Sequence, residues 1–428
     1  MLHSGIIFVI GLAGLIVVVW RFRWPLPIGL MAVSVLAGLL AGFLIPFRHL
    51  VEGSFGYINL VLGLFAGAFF GHVMLTSGAA GAVAARVGDG VRDNAWLMLL
   101  FAGAILFLVG MYVGIAGVAV LATGAFVVPL LRRLGMPGHE IAAFMAAIST
   151  CGMIAPPVNV PVMSIADGVN MPYTGLSLAL TLLSLPPAIL TLVFFAMRAK
   201  RYVRPEPSAA SQPGAAVTGF LSLAIILGFW TLLRLFPMAV PDPAAPLVLV
   251  VGALPPLFIL GRAGVGRALA ATFSGTPLEL AAVLATVGVL VQIMALTGVR
   301  GWLVITVMSV PEPWSFIGMA AMPVFGSVLT SIGTANILGV PFAFSLIGQD
   351  MILNVSALSA IAALSEFVPP TAIAAALSTY VVGDTSLSRV LRASLWPALA
   401  IAVPAILMLI FADSLSGILS GPASAMQH

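Results

Sequence analysis

Charge is the scarcest ingredient of this chain. Only 7% of its 428 residues are Asp, Glu, Lys or Arg, against about a quarter in a soluble domain, which excludes a water-exposed globular fold. Cysteine is nearly absent: the single Cys151 rules out an internal disulfide and a thiolate metal site, and reads as packing. No G-x-x-x-x-G-K-[ST] loop, zinc-ligand spacing or G-x-S-x-G elbow occurs, so ATP hydrolysis and membrane hydrolase chemistry have no support. The alternating segments that build a membrane β-barrel are missing. So is the ring of like charges that a channel needs.

What the chain has in abundance is apolar length. Apolar residues make up 61% of it and the mean hydropathy is +1.20, so it has room for many spans of roughly 20 apolar residues each. The fold class is an all-α polytopic membrane protein. Spanning candidates are 5–20, 25–46, 58–76, 96–111, 175–196, 219–236, 246–260, 277–297, 315–331 and 391–411. The first run lacks a basic leader and a small-residue cleavage site and ends in "RFR", so it reads as a retained helix rather than a signal peptide. Arg21 and Arg23 place that end in the cytoplasm and the N-terminus outside. The net charge of +4 reflects such topology-setting arginines and gives no sign of nucleic-acid binding.

Two zones are apolar yet broken by Gly, Pro, Ser, Thr and Asn: 113–167 and 330–384. Between the halves lies one polar linker, "RAKRYVRPEPSAASQPGAA" (198–216), whose basic residues make it cytoplasmic. The halves resemble each other. "MIAPPVNVPVMS" (153–164) aligns with "EFVPPTAIAAAL" (366–377), proline pair on proline pair, 213 residues apart, and Gly135 and Gly348 share that spacing. "PPAILTLVFFA" (186–196) matches "VPAILMLIFA" (403–412) at an offset of 217. Paired, Pro-interrupted segments in a repeat point to the binding site of a secondary transporter.

Proline removes a donor and costs about 3 kcal/mol inside a helix. Two in a row cannot face lipid, so each pair sits in a re-entrant hairpin tip or in an unwound segment lining a cavity. Either arrangement leaves half-helix ends inside the membrane, for an anion at the N-terminal ends and for Na+ at the free carbonyls. Polar side chains gather around both breaks: Ser149, Thr150, Asn159 and Ser164 at the first, and Thr330, Ser331, Thr334, Asn336, Ser365, Thr371 and Ser378 at the second. Hydroxyls, amides and carbonyls suit a hard cation. Glu366, three residues before the second pair, is a charge at costly depth: a proton site, a cation ligand or the partner of an arginine. Asp167, Asp350 and Asp384 mark water-side ends, His72 is a satisfied buried histidine or a proton carrier, and Arg234 snorkels.

These residues carry a family resemblance. "GIAGVAVLATGAFVVPLLRRLGMPGHEIAAFMAAISTCGMIAPPVNVPVM" (114–163) is similar to the first signature region of the large membrane subunit of TRAP (tripartite ATP-independent periplasmic) transporters. "IGTANILGVPFAFSLIGQDMILNVSALSAIAALSEFVPPTAIAAALSTYVVGD" (332–384) is similar to the second. The shared pattern includes Gly114, Gly124, Pro129, the "RRLG" of 132–135, Thr150, Gly152 and both proline pairs.

The resemblance implies a multi-pass protein of the bacterial inner membrane that imports a small organic anion, a carboxylate or sialic acid, driven by Na+. Its partners would be a periplasmic substrate-binding protein and a small four-helix membrane subunit. The implied fold has two inverted repeats, each with a re-entrant proline-tipped hairpin and a broken helix, in a scaffold and an elevator-type transport domain. Repeat one would cover 1–197 with its hairpin around 140–167, and repeat two 217–428 with its hairpin around 355–384. Ser149, Thr150, Asn159, Thr334, Asn336 and Thr371 would bind substrate. Gly114, Gly152, Gly333, Ser365, Glu366 and Thr371 would bind the cation.

Three departures stand out. "VGIA" (113–116) replaces a hydroxyl-rich run, Val158 replaces a serine, and "SEFVPPTA" (365–372) has Ser365 for the Gly and Val368 for the Thr of the family's Gly-x-x-Thr before its prolines, with Glu366 between them. Coupling through H+ enters with Glu366. A stand-alone ion- or proton-coupled carrier needing no binding protein, and a channel-like or structural subunit, are the alternative readings.

Overall fold

The computed structural model describes residues 2–91, 94–199, 213–236 and 244–419, and among them there is no β-strand. Most of the 198–216 linker and the side chain of Arg234 lie outside the described residues. Helices close every backbone hydrogen bond within one segment, which is what a chain this apolar requires in lipid. Five of them are individually long and apolar enough to span a bilayer, or six with one bent pair.

The chain opens with α1 (Leu2–Ile16), extended by a π turn, then α2 (Leu26–Leu40) and the short α3 (Phe47–Phe55). The expected 25–46 span stops early because Gly42, at φ 89, turns the chain and Pro46 opens α3 instead. There follow α4 (Ile58–Thr76), α5 (Ala79–Gly90), α6 (Ala95–Val113), α7 (Ala116–Arg132), α8 (Gly138–Ile154), α9 (Val160–Gly168) and α10 (Ser177–Ala199). After α11 (Pro213–Leu235) the expected 246–260 span divides into α12 (Ala244–Gly252) and α13 (Leu254–Leu257), where Pro255 and Pro256 interrupt the ladder. Then come α14 (Arg262–Thr272), α15 (Thr276–Leu296), α16 (Val299–Met308) and α17 (Glu312–Gly326). Next are α18 (Thr330–Thr334), a π turn at Ala335–Gly339, α19 (Val340–Ser345), α20 (Met351–Ala363) and a 3-10 turn at Leu364–Phe367. The chain closes with α21 (Ile373–Val382), α22 (Leu387–Ala393), α23 (Leu395–Ile410) and α24 (Ala412–Leu419). The expected 391–411 span is bent, with α22 and α23 at 51° to each other. The expected 315–331 span ends at Gly326, where the chain turns into α18.

Polar contacts define two ends of the bundle. At one, Arg132 of α7 donates to the Val382 carbonyl (2.9 Å) and pairs with Asp384 beyond α21 (3.1 Å). There too Arg133 pairs with Asp89 of α5 (2.8 Å), and Arg198 of α10 with Glu140 of α8. This is the basic face. At the opposite end the Asp350 N–H donates to Asp413 (3.4 Å), and Gly168 and Gly175 lie against Val340 and Ile352. Asp167 and Asp384 are exposed and Asp350 is half-buried, as expected of helix ends in water.

These ends fix the path of each segment. α8 starts at the basic face and α9 leaves through the opposite one, so together they make one broken crossing. α20 and α21 make a second crossing in the other direction. α6 runs alongside α8, with Gly110 against Ser149 and Gly152, and α7 packs back along it to Arg132. That pair is a helical hairpin whose tip is Gly114–Ile115. α17 and the α18–α19 segment fold back on each other likewise, around Ser327–Leu329. The proline pairs, both with cis bonds between the two prolines, therefore lie in the broken crossings. The hairpins expected around 140–167 and 355–384 are corrected: the turns sit upstream. A proline pair interrupts the hydrogen-bond ladder, and neighbouring contacts decide whether the chain turns back or continues.

One large apolar core holds the two hairpins and the two crossings, and Cys151 is fully buried in it. Two small separate cores join α1, α2, α15 and α16. His72 of α4 is half-buried, with Nδ1 satisfied by the Ala68 carbonyl at 2.7 Å.

Candidate functional site

The first crossing breaks between Ile154 and Val160, and Asn159 closes the gap. Its Oδ1 accepts from the Val162 N–H (2.9 Å), capping α9. Its Nδ2 donates to the Ile154 carbonyl (2.9 Å), left free at the end of α8, and to Ser359 Oγ on α20 (3.5 Å). Asn159 is fully buried, so these bonds substitute for the missing helix ladder. Ser149 and Thr150 lie one turn earlier, and both donate to the Ala146 carbonyl, at 3.1 and 2.8 Å. Tyr173 Oη donates to the Pro157 carbonyl (3.1 Å) at the break itself.

We expect Asn159→Ala to cost about 3 kcal/mol, roughly 1 from the lost cap and the rest from unsatisfied buried groups. The measurement is the apparent melting temperature in detergent. An unchanged value would remove Asn159 from this role.

The first hairpin tip packs on this break through apolar atoms. Gly114 has φ 70, and a Cβ there would lie 2.8 Å from Val158 Cγ1 and 3.0 Å from Val160 Cγ2. Gly152 allows α6 and α8 to touch through backbone, since its Cβ would be 3.1 Å from the Gly110 Cα. Val113 and Ile115 complete a buried surface with no hydroxyl.

The second tip and break are built of oxygen. Glu366, only 2% exposed, accepts from Ser331 Oγ at 2.5 Å through one carboxylate oxygen. The other accepts from the Ala374 N–H at 2.7 Å, at the positive end of α21. Ser365 Oγ is 3.2 Å from Thr334 Oγ1, which donates to the carbonyls of Thr330 (2.6 Å) and Gly326 (2.9 Å). Thr371 donates to the Ser327 carbonyl. Ser331 also lies 3.9 Å from Met153 Sδ, so the end of α8 meets the second hairpin beside the carboxylate.

Of the residues singled out in the sequence, Thr330, Ser331, Thr334, Ser365, Glu366 and Thr371 come together in one buried cluster. Asn159 reaches its neighbourhood through Ser359. Ser149 and Thr150 are satisfied by their own helix, and Gly114 and Gly152 serve close backbone approach. Gly333 packs against Val287 and Leu329 at the cluster's edge. Asn336 lies in the π turn, its Oδ1 without a hydrogen-bond partner among the described residues. Ser378 Oγ is likewise buried without one.

Of the three roles open to Glu366, that of an arginine's partner is not met: among the described residues it makes no ion pair. Sequence reasoning missed Ser359, Tyr173 and the carbonyls of Gly326 and Ser327. Only the closeness of Gly326–Ser327 to "TSIGT" hinted at the last two. Chemically, the cluster offers hydroxyl, carbonyl and carboxylate oxygens, the donor set of a hard cation.

The family described as "Tripartite ATP-independent periplasmic transporter, DctM component" matches residues 113–415, well over half of the chain. The chain belongs to the DctM family. It is thus a component of a TRAP-type secondary transporter, and the DctM match begins at the first hairpin tip and ends beyond α23. The backbone is similar to the crystal structure of the Alcanivorax borkumensis YdaH transporter, described as having an unusual topology. The two share 15% identity over 87% of this chain and 89% of that one, with a TM-score of 0.45. No curated protein shows significant sequence similarity to the chain.

Proposed function

We propose that this DctM-family chain is the carrier subunit that imports a small organic anion, a carboxylate or sialic-acid-like compound, together with Na+. A periplasmic binding protein delivers the substrate and a small four-helix membrane subunit completes the complex in a bacterial inner membrane. The observation that carries the reading is the meeting of both halves at mid-bundle, where Met153, Ser331 and Glu366 adjoin and broken helices end. Irregular backbone at such depth is tolerated only where it is enclosed in protein or lines a cavity, as in carriers.

The repeats, 1–197 and 217–428 joined by the 198–216 linker, are inverted in this reading, and loop charge supports it. After α7 the chain reads "RRLG" (132–135), while the matching loop after α19 reads "SLIG" (345–348). After α9 it reads "DGVNMP" (167–172), while after α21 the short helix α22 carries Arg389 and Arg392. Basic loops alternate between the copies, as the positive-inside rule demands of two halves of opposite orientation. The basic face is then cytoplasmic.

The large core with both hairpins and crossings would be the transport domain, moving as an elevator. The small cores around α1, α2, α15 and α16 would belong to the scaffold. Ser149, Thr150, Asn159, Thr334, Asn336 and Thr371 stand as the substrate candidates. Gly114, Gly152, Gly333, Ser365, Glu366 and Thr371 stand as those for the cation, with the second half the better furnished.

Reconstitution in proteoliposomes tests this. Uptake of a labelled carboxylate or sialic acid should require an inward Na+ gradient, the binding protein and the small subunit. Uptake that persists without the binding protein would favour a stand-alone carrier, and uptake indifferent to Na+ would end the Na+ assignment.

A further inference from the structure

The last long helices of the two repeats, α10 and α23, lie side by side and leave a groove of about 370 Å3 between them. Leu190, Thr191 and Phe194 line it from α10, and Trp396, Ala400 and Val403 from α23. Leu190, Trp396 and Val403 are exposed, so the groove faces the bilayer.

One lining group is out of keeping with this apolar surface. Thr191 is 1% exposed, yet its Oγ1 has no hydrogen-bond partner among the described residues. A helical threonine ordinarily donates to the carbonyl four residues back, as Thr123, Thr150, Thr181 and Thr379 do here. Thr191 makes no such bond. A buried donor without an acceptor costs free energy unless a ligand supplies one.

The groove also opens beside cations. Phe194 carries the Arg198 guanidinium 5.3 Å above its ring centroid. Arg198 is half exposed although one of its nitrogens pairs with Glu140. On the other side Arg389 and Arg392 are exposed on α22, the latter four residues before Trp396. An aromatic ring and arginines at one end of an apolar channel mark an interfacial headgroup position.

The charge at its end selects the occupant: an apolar slot between two lipid-facing helices, with arginines at the basic face, matches an acyl chain beneath an anionic headgroup. We propose that this groove binds an anionic phospholipid from the leaflet at the basic face. One acyl chain lies between α10 and α23, the phosphate meets Arg198 and Arg392, and an ester carbonyl accepts from Thr191. The lipid thereby clamps the closing helices of both repeats. The inference needs only a chain embedded in a bilayer, and stands apart from the substrate and the coupling ion.

The test uses the transporter in phosphatidylcholine nanodiscs doped with a diazirine-acyl phosphatidylglycerol or, separately, the matching phosphatidylcholine probe. After illumination, peptides carrying Leu190–Phe194 and Trp396–Val403 should be labelled about fivefold more by the anionic probe, the preference conferred by a single interfacial arginine. Arg392→Gln should reduce that preference. Ala400→Phe, which fills the groove, should remove labelling there and leave it unchanged on other lipid-facing helices. Equal labelling by both probes would overturn the anionic headgroup, and the wild-type comparison holds even where a variant misfolds. Labelling that survives Ala400→Phe, or cross-links to the small subunit in place of lipid, would overturn the site.

Discussion

Glu366→Gln should change the ion dependence of uptake far more than it changes stability. The amide keeps an oxygen for the Ala374 N–H, and Ser331 can turn from donor to acceptor toward the new NH2 group. The network survives, so the stability change should stay within about 1 kcal/mol. The negative charge does not survive. At an effective dielectric of about 20, one unit charge near 4 Å from a cation is worth up to about 4 kcal/mol, so a Na+ half-saturation raised at least tenfold is expected. If H+ rather than Na+ uses this carboxylate, the same variant flattens the dependence of uptake on pH. Kinetics identical to wild type across both sodium and pH would remove Glu366 from coupling. Glu366→Ala separates the two roles: it leaves the Ser331 hydroxyl and the Ala374 N–H buried without an acceptor. It should therefore also cost about 3 kcal/mol of stability.

Gly114→Val should disable the protein by a different route. The left-handed backbone at φ 70 disfavours any side chain by roughly 1–2 kcal/mol, and a β-branched one most. The new atoms would also press on Val158 and Val160, where even a Cβ finds only 2.8–3.0 Å, adding roughly 1–3 kcal/mol of overpacking. A loss of about 3 kcal/mol, read as a lower apparent melting temperature, should accompany loss of uptake. A variant within about 1 kcal/mol of wild type would mean that the α6–α7 turn is not built as described.

How far the sequence could be read depended on how local each signal was. Apolar length announced the helices, because roughly 20 apolar residues are nearly sufficient for a span. The proline pairs announced where two crossings break, because a missing donor is a property of the residue itself. The direction of the chain after the break was not legible: it depends on which helix lies alongside, and Gly110 against Gly152 is a contact across some 40 positions. The first hairpin tip was hard to see for another reason. "VGIA" carries no polarity, and an apolar turn among apolar helices looks like more helix. The second tip was legible as a collection of hydroxyls, but its hub was not. Ser331 and Glu366 are 35 residues apart, and only folding shows that the serine faces the carboxylate while, among the described residues, no arginine does.

Cys151 is a packing residue, and its burial has a practical corollary. The one native thiol of the chain is 0% exposed on α8, beneath α6 and among the core helices. Water-soluble maleimides should pass it by, so the natural sequence already provides a silent background for single-cysteine reporters. A cysteine at Ser388, on the basic face, and another at Asp167, on the opposite one, could then be labelled from either side of a sealed vesicle. The orientation of each half would follow without first re-engineering the core.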